Sequence, residues 1–208
     1  YAFRKYKIKT VENKHTHLVP EELEQLERLS LTGKHMKLQK SLDAFLFCCY
    51  AGMRYSDFTN LSKKNIVDIN QETWLIYKSV KTGTEVRLPL YLLFAGKGIV
   101  ILNKYRNNLE DFFRLRDNSN INKDLIIIAK LAGLSKKISF HTARHTNATL
   151  LIYNGVNITT VQKLLGHKSV KTTQVYTNIM DMTIVHDLEK MKQAALGIKK
   201  KTDNSFNK

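Results

Sequence analysis

A strongly apolar run, residues 38–51, constrains the fold more than any other feature of this chain. Its larger apolar side chains recur near helical spacing: Leu42, Phe45, Leu46, Cys49 and Tyr50. This pattern predicts a helix with a core-facing side, and Gly52 suits its C-terminal cap. Arg54 follows at once, so we expect it at a fixed corner between two helices and not on a mobile loop.

Three strand-like runs follow the helical corner. They are residues 65–69, 73–80 and 85–90, separated by the turn signals Asn70-Gln71 and Thr82-Gly83. Short alternating runs joined by such turns predict a small three-stranded antiparallel sheet. Lys81 would then lie at the second hairpin. Because most of the remaining chain has helical patterns, the expected fold class is α+β, mainly α, with this one small sheet.

Other segments predict further helices. One begins at Pro20, and residues 92–115 form a helix with breaks at Gly96 and Gly98. A loop is expected over residues 117–122. The segments expected as helices after it are residues 124–132, 141–153 and 159–165, and finally a short helix that Ser169 caps and that carries Tyr176.

The charge balance favours a polyanionic partner. The chain has 34 Lys and Arg residues against 18 Asp and Glu residues, which gives a net charge of +16. Such a field favours nucleic acid, although an unspecialised cationic surface would also explain it. No stretch reaches the roughly 20 apolar residues that span a bilayer. Cys48 and Cys49 are expected to be buried, reduced hydrophobes; a zinc site with nearby histidines lacks paired-ligand spacing.

Composition and pattern divide the chain into four segments. Residues 1–19 are basic and without helical periodicity, as in a linker or a DNA-tracking arm. Residues 20–180 carry the helical and strand patterns of one folded domain. Residues 181–197 carry an apolar stripe typical of a helix, which packs either on its own core or on a neighbouring protomer. Residues 198–208 are polar, and we expect a disordered tail.

The stretch from residue 139 to residue 176 carries the chemistry. His141 and Arg144 lie three apart, so they project from one helix face, and a guanidinium can bind two phosphate oxygens at once. His167 follows a helix end and Tyr176 comes shortly after. Each also has an ordinary interpretation. His141 and Arg144 would form a solvated basic helix end, His167 would cap carbonyl groups, and Tyr176 would only pack.

Five motifs taken in order are more specific than any single residue. G-M-R-Y-S-D-F-T-N-L, V-K-T-G-T-E-V-R-L-P-L, H-T-A-R-H-T, L-L-G-H-K-S and T-T-Q-V-Y together resemble the catalytic signature of the tyrosine recombinase family. This family includes integrases of phages and conjugative transposons and the Xer-type resolvases. The resemblance implies a site-specific DNA recombinase, which we expect to serve a bacterial mobile genetic element.

The resemblance assigns a role to each matching residue. Arg54 and Arg144 would clamp the scissile phosphate, and His167 would add a hydrogen bond to it. Tyr176 would attack the phosphorus and form a 3′-phosphotyrosine. Lys81 would protonate the departing 5′ oxygen as a general acid.

Three more residues have weaker assignments from the same resemblance. His141 would assist proton transfer, most simply near the tyrosine. Asp57 stands where many relatives have Glu, and it would orient Arg54. Lys78 is a rival for the general acid, although Lys81 fits the K-T-G turn better.

The resemblance also implies a division of the chain, partners and a location. Residues 1–19 would be the linker from a missing N-terminal DNA-binding domain, and residues 20–180 would be the catalytic domain. We expect no metal ion and no ATP as cofactor, double-stranded DNA as substrate, and a homotetramer on paired DNA sites. An accessory DNA-bending protein is compatible with this scheme, and the expected location is the bacterial cytoplasm, with the nucleoid. The alternatives are an Xer-type resolvase, an enzyme like the type IB topoisomerases, and a DNA-binding module without catalysis.

Overall fold

A computed structural model describes residues 16–177. The predictions for residues 1–15 and 178–208, including most of the linker, the C-terminal helix and the tail, lie outside these described residues. The helices are α1 (Pro20–Glu27), α2 (Gln39–Ala51), α3 (Tyr55–Thr59), α4 (Lys97–Lys104), α5 (Leu109–Phe113), α6 (Asn118–Leu131), α7 (Phe140–Tyr153), α8 (Ile158–Leu165) and α9 (Lys171–Gln174). The strands are β1 (Ile66–Ile69), β2 (Glu72–Lys78) and β3 (Glu85–Pro89).

Helix α2 is the centre of the fold. Every residue from Ser41 to Ala51 is buried, so the helix is enclosed on all sides and has no solvent-facing stripe. The prediction of a helix ended by Gly52 is confirmed. Helix α7 packs along α2, and α1, α4, α5 and α6 also contact it. A helix this apolar is stable in water only when other elements cover it completely.

The predicted sheet is confirmed. The three strands are antiparallel in the order β1-β2-β3, and Trp74 of the central strand pairs with Val67 on one side and Pro89 on the other. Lys81 lies in the turn between β2 and β3, as the turn signal predicted. The sheet thereby brings this lysine to the edge of the helical core, and the fold class is mainly helical with one small antiparallel sheet, as expected.

The prediction for residues 92–115 is right in part. The helical pattern is interrupted at Gly96, as predicted, and again over residues 105–108, where no break was expected. Gly98 lies inside α4, where it is buried and contacts the Phe47 ring; it does not break the helix. A Cβ at this position would lie 3.6 Å from the Phe47 ring, an ordinary contact distance, so nothing in the packing requires a glycine here.

The predicted loop over residues 117–122 is also wrong, since α6 begins at Asn118. The side chain of Asp117 accepts a hydrogen bond of 3.0 Å from the backbone N–H of Asn120 and so caps the helix. The run D-N-S-N-I-N looks like a loop because these residues favour turns, but the same side chains start helices.

The last described helix is shorter than predicted. The Oγ of Ser169 accepts a hydrogen bond of 3.2 Å from the N–H of Lys171. Helix α9 then ends at Gln174, so Tyr176 lies just beyond it and not within it. Within residues 16–177, no helix has the length and apolar character needed to cross a membrane.

Candidate active site

The corner after α2 depends on a glycine. Gly52 has φ of 67°, and a Cβ added there would lie 2.6 Å from Oδ1 of Asn147 and 2.8 Å from Cδ2 of Leu165. Only glycine combines this left-handed conformation with so close an approach of α7 and α8. The chain therefore turns sharply, and Arg54 becomes the residue that precedes α3.

Arg54 is held at this corner by polar groups. Its Nη1 lies 3.5 Å from Oδ2 of Asp57 and 3.3 Å from Oγ of Ser79. Asp57 is itself buried, and its Oδ1 accepts a hydrogen bond of 2.8 Å from the N–H of Val80. The carboxylate therefore joins α3 to the strand end that leads to the hairpin of Lys81.

Arg144 is fully buried, although sequence alone suggested a helix end exposed to solvent. Its Nη1 donates a hydrogen bond of 2.7 Å to the carbonyl oxygen of Gly52, and its Nη2 donates one of 2.6 Å to that of Leu165. Both carbonyls lie at helix C-termini, where the helix dipole is negative. Burial, with a smaller contribution from Arg54, lowers the pKa of Arg144 to about 10. The guanidinium therefore stays charged at neutral pH.

His167 follows Gly166 at the end of α8 and is buried. Its Nδ1 lies 2.9 Å from Oγ1 of Thr173, and this hydrogen bond connects the residue after α8 to α9. Burial lowers the pKa of His167 to about 4, and the neighbouring cations contribute in the order Arg144, Arg54, His141 and Lys81. The imidazole is therefore neutral at physiological pH. It can serve as a hydrogen-bond partner but not as a cation.

Tyr176 is buried, and only 4% of its surface is exposed. Its hydroxyl lies 3.1 Å from Nδ1 of His145. Burial raises the pKa of Tyr176, while Arg144 and Arg54 act in the opposite direction. The two arginines thus favour the phenolate, as a nucleophile would need, but in this conformation burial outweighs them.

The expected role of His141 in proton transfer near the tyrosine stays a prediction. The ring of His145, one helical turn later, lies 4.5 Å from the His141 ring and 5.5 Å from the Tyr176 ring, measured between ring centroids. His141 itself is exposed, as is Lys81. Both nevertheless lower the pKa of His167, so both lie near His167.

Sequence reasoning missed three residues of this site: His145, Ser79 and Thr173. His145 was visible inside the motif H-T-A-R-H-T, one turn after His141, which was a usable signal. Ser79 and Thr173 carry no such signal, because their importance comes from contacts with Arg54 and His167. Within residues 16–177 there is no group of three or more His, Cys, Asp or Glu side chains placed to hold a metal ion.

Comparison with known proteins agrees with this geometry. The model of the phage integrase family matches residues 17–182. The chain belongs to this family. A tyrosine recombinase of Pseudothermotoga lettingae is 30% identical over 181 residues, which cover 85% of this chain and 60% of that protein. The chain thus spans somewhat under two thirds of the length of this curated relative.

Solved structures of the family share the fold. The XerA recombinase structure superposes with a TM-score of 0.64 at 25% identity, covering 85% of this chain and 65% of that one. A lambda integrase tetramer bound to a Holliday junction gives a TM-score of 0.62 at 20% identity, covering 77% of this chain and 47% of that one. The helical domain with a small sheet is therefore the tyrosine recombinase fold.

Proposed function

We propose that this integrase family member breaks and rejoins DNA strands at specific sites through a covalent 3′-phosphotyrosine. The observation that carries the proposal is the convergence on His167: Arg144, Arg54, His141 and Lys81 all lower its pKa. Side chains from α7, the corner before α3 and the β2–β3 turn therefore meet at one place. Cations gathered in this way stabilise the charge that develops on a phosphoryl group during transfer.

Arg54 and Arg144 are the proposed phosphate clamp. Arg144 spends two N–H groups on helix carbonyls, and a guanidinium has five, so donors remain for a phosphate oxygen. His167 would donate from Nε2. This requires that the Thr173 hydroxyl donates to Nδ1, which places the ring proton on Nε2.

Tyr176 is the proposed nucleophile. Its oxygen forms a bond to phosphorus, the bond from phosphorus to the 5′ oxygen breaks, and Lys81 gives its proton to that oxygen. His145 already contacts the phenol and is placed to accept its proton, with His141 beside it. Lys78 is the less favoured general acid, because it lies on β2 itself and not in the turn.

The proposed reaction conserves the energy of the phosphodiester in the phosphotyrosine bond. A 5′ hydroxyl of another strand can therefore reverse the step, and neither a metal ion nor ATP is needed. By analogy with the lambda integrase tetramer on a Holliday junction, we propose a homotetramer on two double-stranded DNA sites. An accessory DNA-bending protein and a location with the bacterial nucleoid fit this scheme.

The motifs favour an integrase of a mobile genetic element. A chromosomal resolvase of the Xer type is the second candidate, because the XerA recombinase is among the similar structures. Recombination assays on two kinds of DNA separate the two candidates: the ends of a mobile element that carries the gene, and a chromosomal dimer-resolution site. Strand exchange confined to the chromosomal site would reject the mobile-element proposal.

The experiment that tests the reaction uses a nicked suicide DNA substrate in EDTA. We expect a covalent protein–DNA adduct with the intact protein and none with Tyr176→Phe, which removes only the nucleophilic oxygen. An adduct formed by both proteins would move the nucleophile to another residue. Binding to DNA without any adduct from the intact protein would favour a DNA-binding module instead.

A further inference from the structure

The central strand β2 turns one face towards the candidate active site. Leu75, Tyr77 and Ser79 alternate along the chain and are all buried. Side chains two residues apart on a strand share a face. The last of the three, Ser79, places its Oγ 3.3 Å from Nη1 of Arg54 and 3.3 Å from Oδ1 of Asp57. Tyr77 therefore lies on the same buried face as Ser79, which contacts these two charged groups.

The hydroxyl of Tyr77 is buried and has no hydrogen-bond partner within residues 16–177. Burial without a partner costs folding free energy, so such groups are rare and are concentrated at functional sites. Burial raises the pKa of Tyr77, and Asp57 raises it further, while Arg144 and Arg54 lower it. The phenol thus lies in the field of the charges that form the site.

The ion pair between Asp57 and Arg54 is weak. Its carboxylate is completely shielded from solvent, and its ion pair with Arg54 spans 3.5 Å. Charge-assisted hydrogen bonds normally measure about 2.7–2.9 Å, so this pair is loosely made. If Arg54 turns to a phosphate, the buried carboxylate loses the cation that balances it, and such a charge is costly. A nearby hydrogen-bond donor without a partner would stabilise the carboxylate of Asp57 in that state.

We propose that Tyr77 is a positioning residue that supplies this donor. Its hydroxyl donates a hydrogen bond to Asp57 when Arg54 turns from the carboxylate to the scissile phosphate. Tyr77 thereby makes the release of Arg54 easier without touching DNA. The proposal rests on the function proposed above, since it gives Arg54 a phosphate to bind.

The test compares the intact protein with Tyr77→Phe, which keeps the ring and removes only the hydroxyl. At saturating DNA we expect covalent adduct to form about tenfold more slowly, because one hydrogen bond to a charged group is lost. The dissociation constant for DNA should stay unchanged, and the urea midpoint should not fall, because the hydroxyl has no partner in the free protein and its burial there only costs folding free energy. A rate within twofold of the original would overturn the proposal.

Tyr105→Phe is the matched control. The hydroxyl of Tyr105 donates a hydrogen bond of 2.8 Å to Asp43, away from the site, so its removal should lower the urea midpoint and leave the rate unchanged. A lower urea midpoint with an unchanged rate in Tyr105→Phe, together with a slower rate and no lower midpoint in Tyr77→Phe, separates a role in the reaction from a role in folding. An equal rate loss in both variants would contradict the proposal.

A double-mutant cycle with Asp57→Asn tests the route of the effect. An amide carries no charge to balance, so Tyr77→Phe should cause less than a twofold loss of rate in that background. A tenfold loss there as well would overturn the link to Asp57. If the intact protein forms no adduct, the proposed reaction itself fails, and the role of Tyr77 fails with it; a normal adduct with an unaffected Tyr77→Phe rejects only the latter.

Discussion

The arginine half of the site and its tyrosine half are built differently. The arginine half comprises Gly52, Arg54, Asp57 and Arg144, and its buried guanidinium bridges the ends of two helices. The tyrosine half, residues 166–176, contains only the short helix α9, and Tyr176 lies beyond its end. The difference teaches that the fold fixes the proposed phosphate-binding arginines in advance, whereas a few side-chain contacts place the proposed nucleophile.

The largest expected effect comes from Arg144→Lys. A lysine keeps the charge but cannot bridge two carbonyls with a planar fork. We expect adduct formation at least about 100-fold slower, since a fixed donor to the transition state is lost. We also expect a loss of about 2–3 kcal/mol in the free energy of unfolding, because buried carbonyls lose their partner.

Single-turnover kinetics and urea denaturation measure the two effects. Arg28→Lys is the matched control, because Arg28 is an exposed residue that pairs with Glu24 one turn earlier on α1. Its effect on rate and stability should be small. Unchanged stability in Arg144→Lys would mean that the bridge does not hold the arginine half together.

Gly52→Ala should come second. The added Cβ meets Asn147 and Leu165 at less than 3.0 Å, and φ of 67° strains an alanine as well. We expect a loss of about 2–3 kcal/mol in unfolding free energy, from backbone strain and the displaced neighbours together. The rate of adduct formation should fall too, because the carbonyl of Gly52 holds Arg144.

Gly133→Ala separates strain from crowding. Gly133 has φ of 76°, but a Cβ there would meet nothing within 4 Å. Its substitution should therefore cost only the conformational part, about 1 kcal/mol, and leave the rate unchanged. Equal losses of stability in the two variants would show that α7 and α8 can move away from the corner.

The smallest expected effect concerns pH and the tyrosine half. The pKa of His167 is about 4 in the folded protein, below the usual value of 6.5. Between these values the unfolded chain binds the proton and the folded protein does not, so stability is lost as pH falls from about 6.5 to 4. We expect a contribution on the order of 1 kcal/mol, reduced by solvent screening.

His167→Gln removes this titration and keeps a hydrogen-bonding side chain. Urea denaturation at pH 7 and pH 4.5 should show a smaller loss of stability in the variant than in the original. An identical pH dependence of the two proteins would mean that the imidazole is not shielded in the folded state.

Much of the site could be predicted because its chemistry lies in short motifs. The order of the five motifs indicated Arg54, Lys81, Arg144, His167 and Tyr176. Gly52 after α2 indicated the turn that leads to Arg54. The structure brings these residues near one place, although the role of each stays a prediction. Local signals of this kind are readable, since a turn or a helix end needs particular residues.

The rest depends on contacts between distant parts of the chain. Arg144 meets Gly52 across 92 residues, and no periodicity in the sequence gives that partner. The unpaired hydroxyl of Tyr77 and the contact of Ser79 with Arg54 are visible only after β2 is placed against α3. The prediction of a loop at Asp117 is wrong for a different, local reason: residues of its type favour turns and also start helices, as its carboxylate does for α6.

The bridge made by Arg144 also has a consequence for protein synthesis. The carbonyl of Leu165 is one of its two acceptors, so a growing chain that ends before this residue leaves the guanidinium without half of its support. Helices α2 and α7 can pack earlier, but the proposed phosphate-binding pair then lacks this support. We therefore expect the proposed phosphate site to form late in translation and to be incomplete in products that end before Leu165.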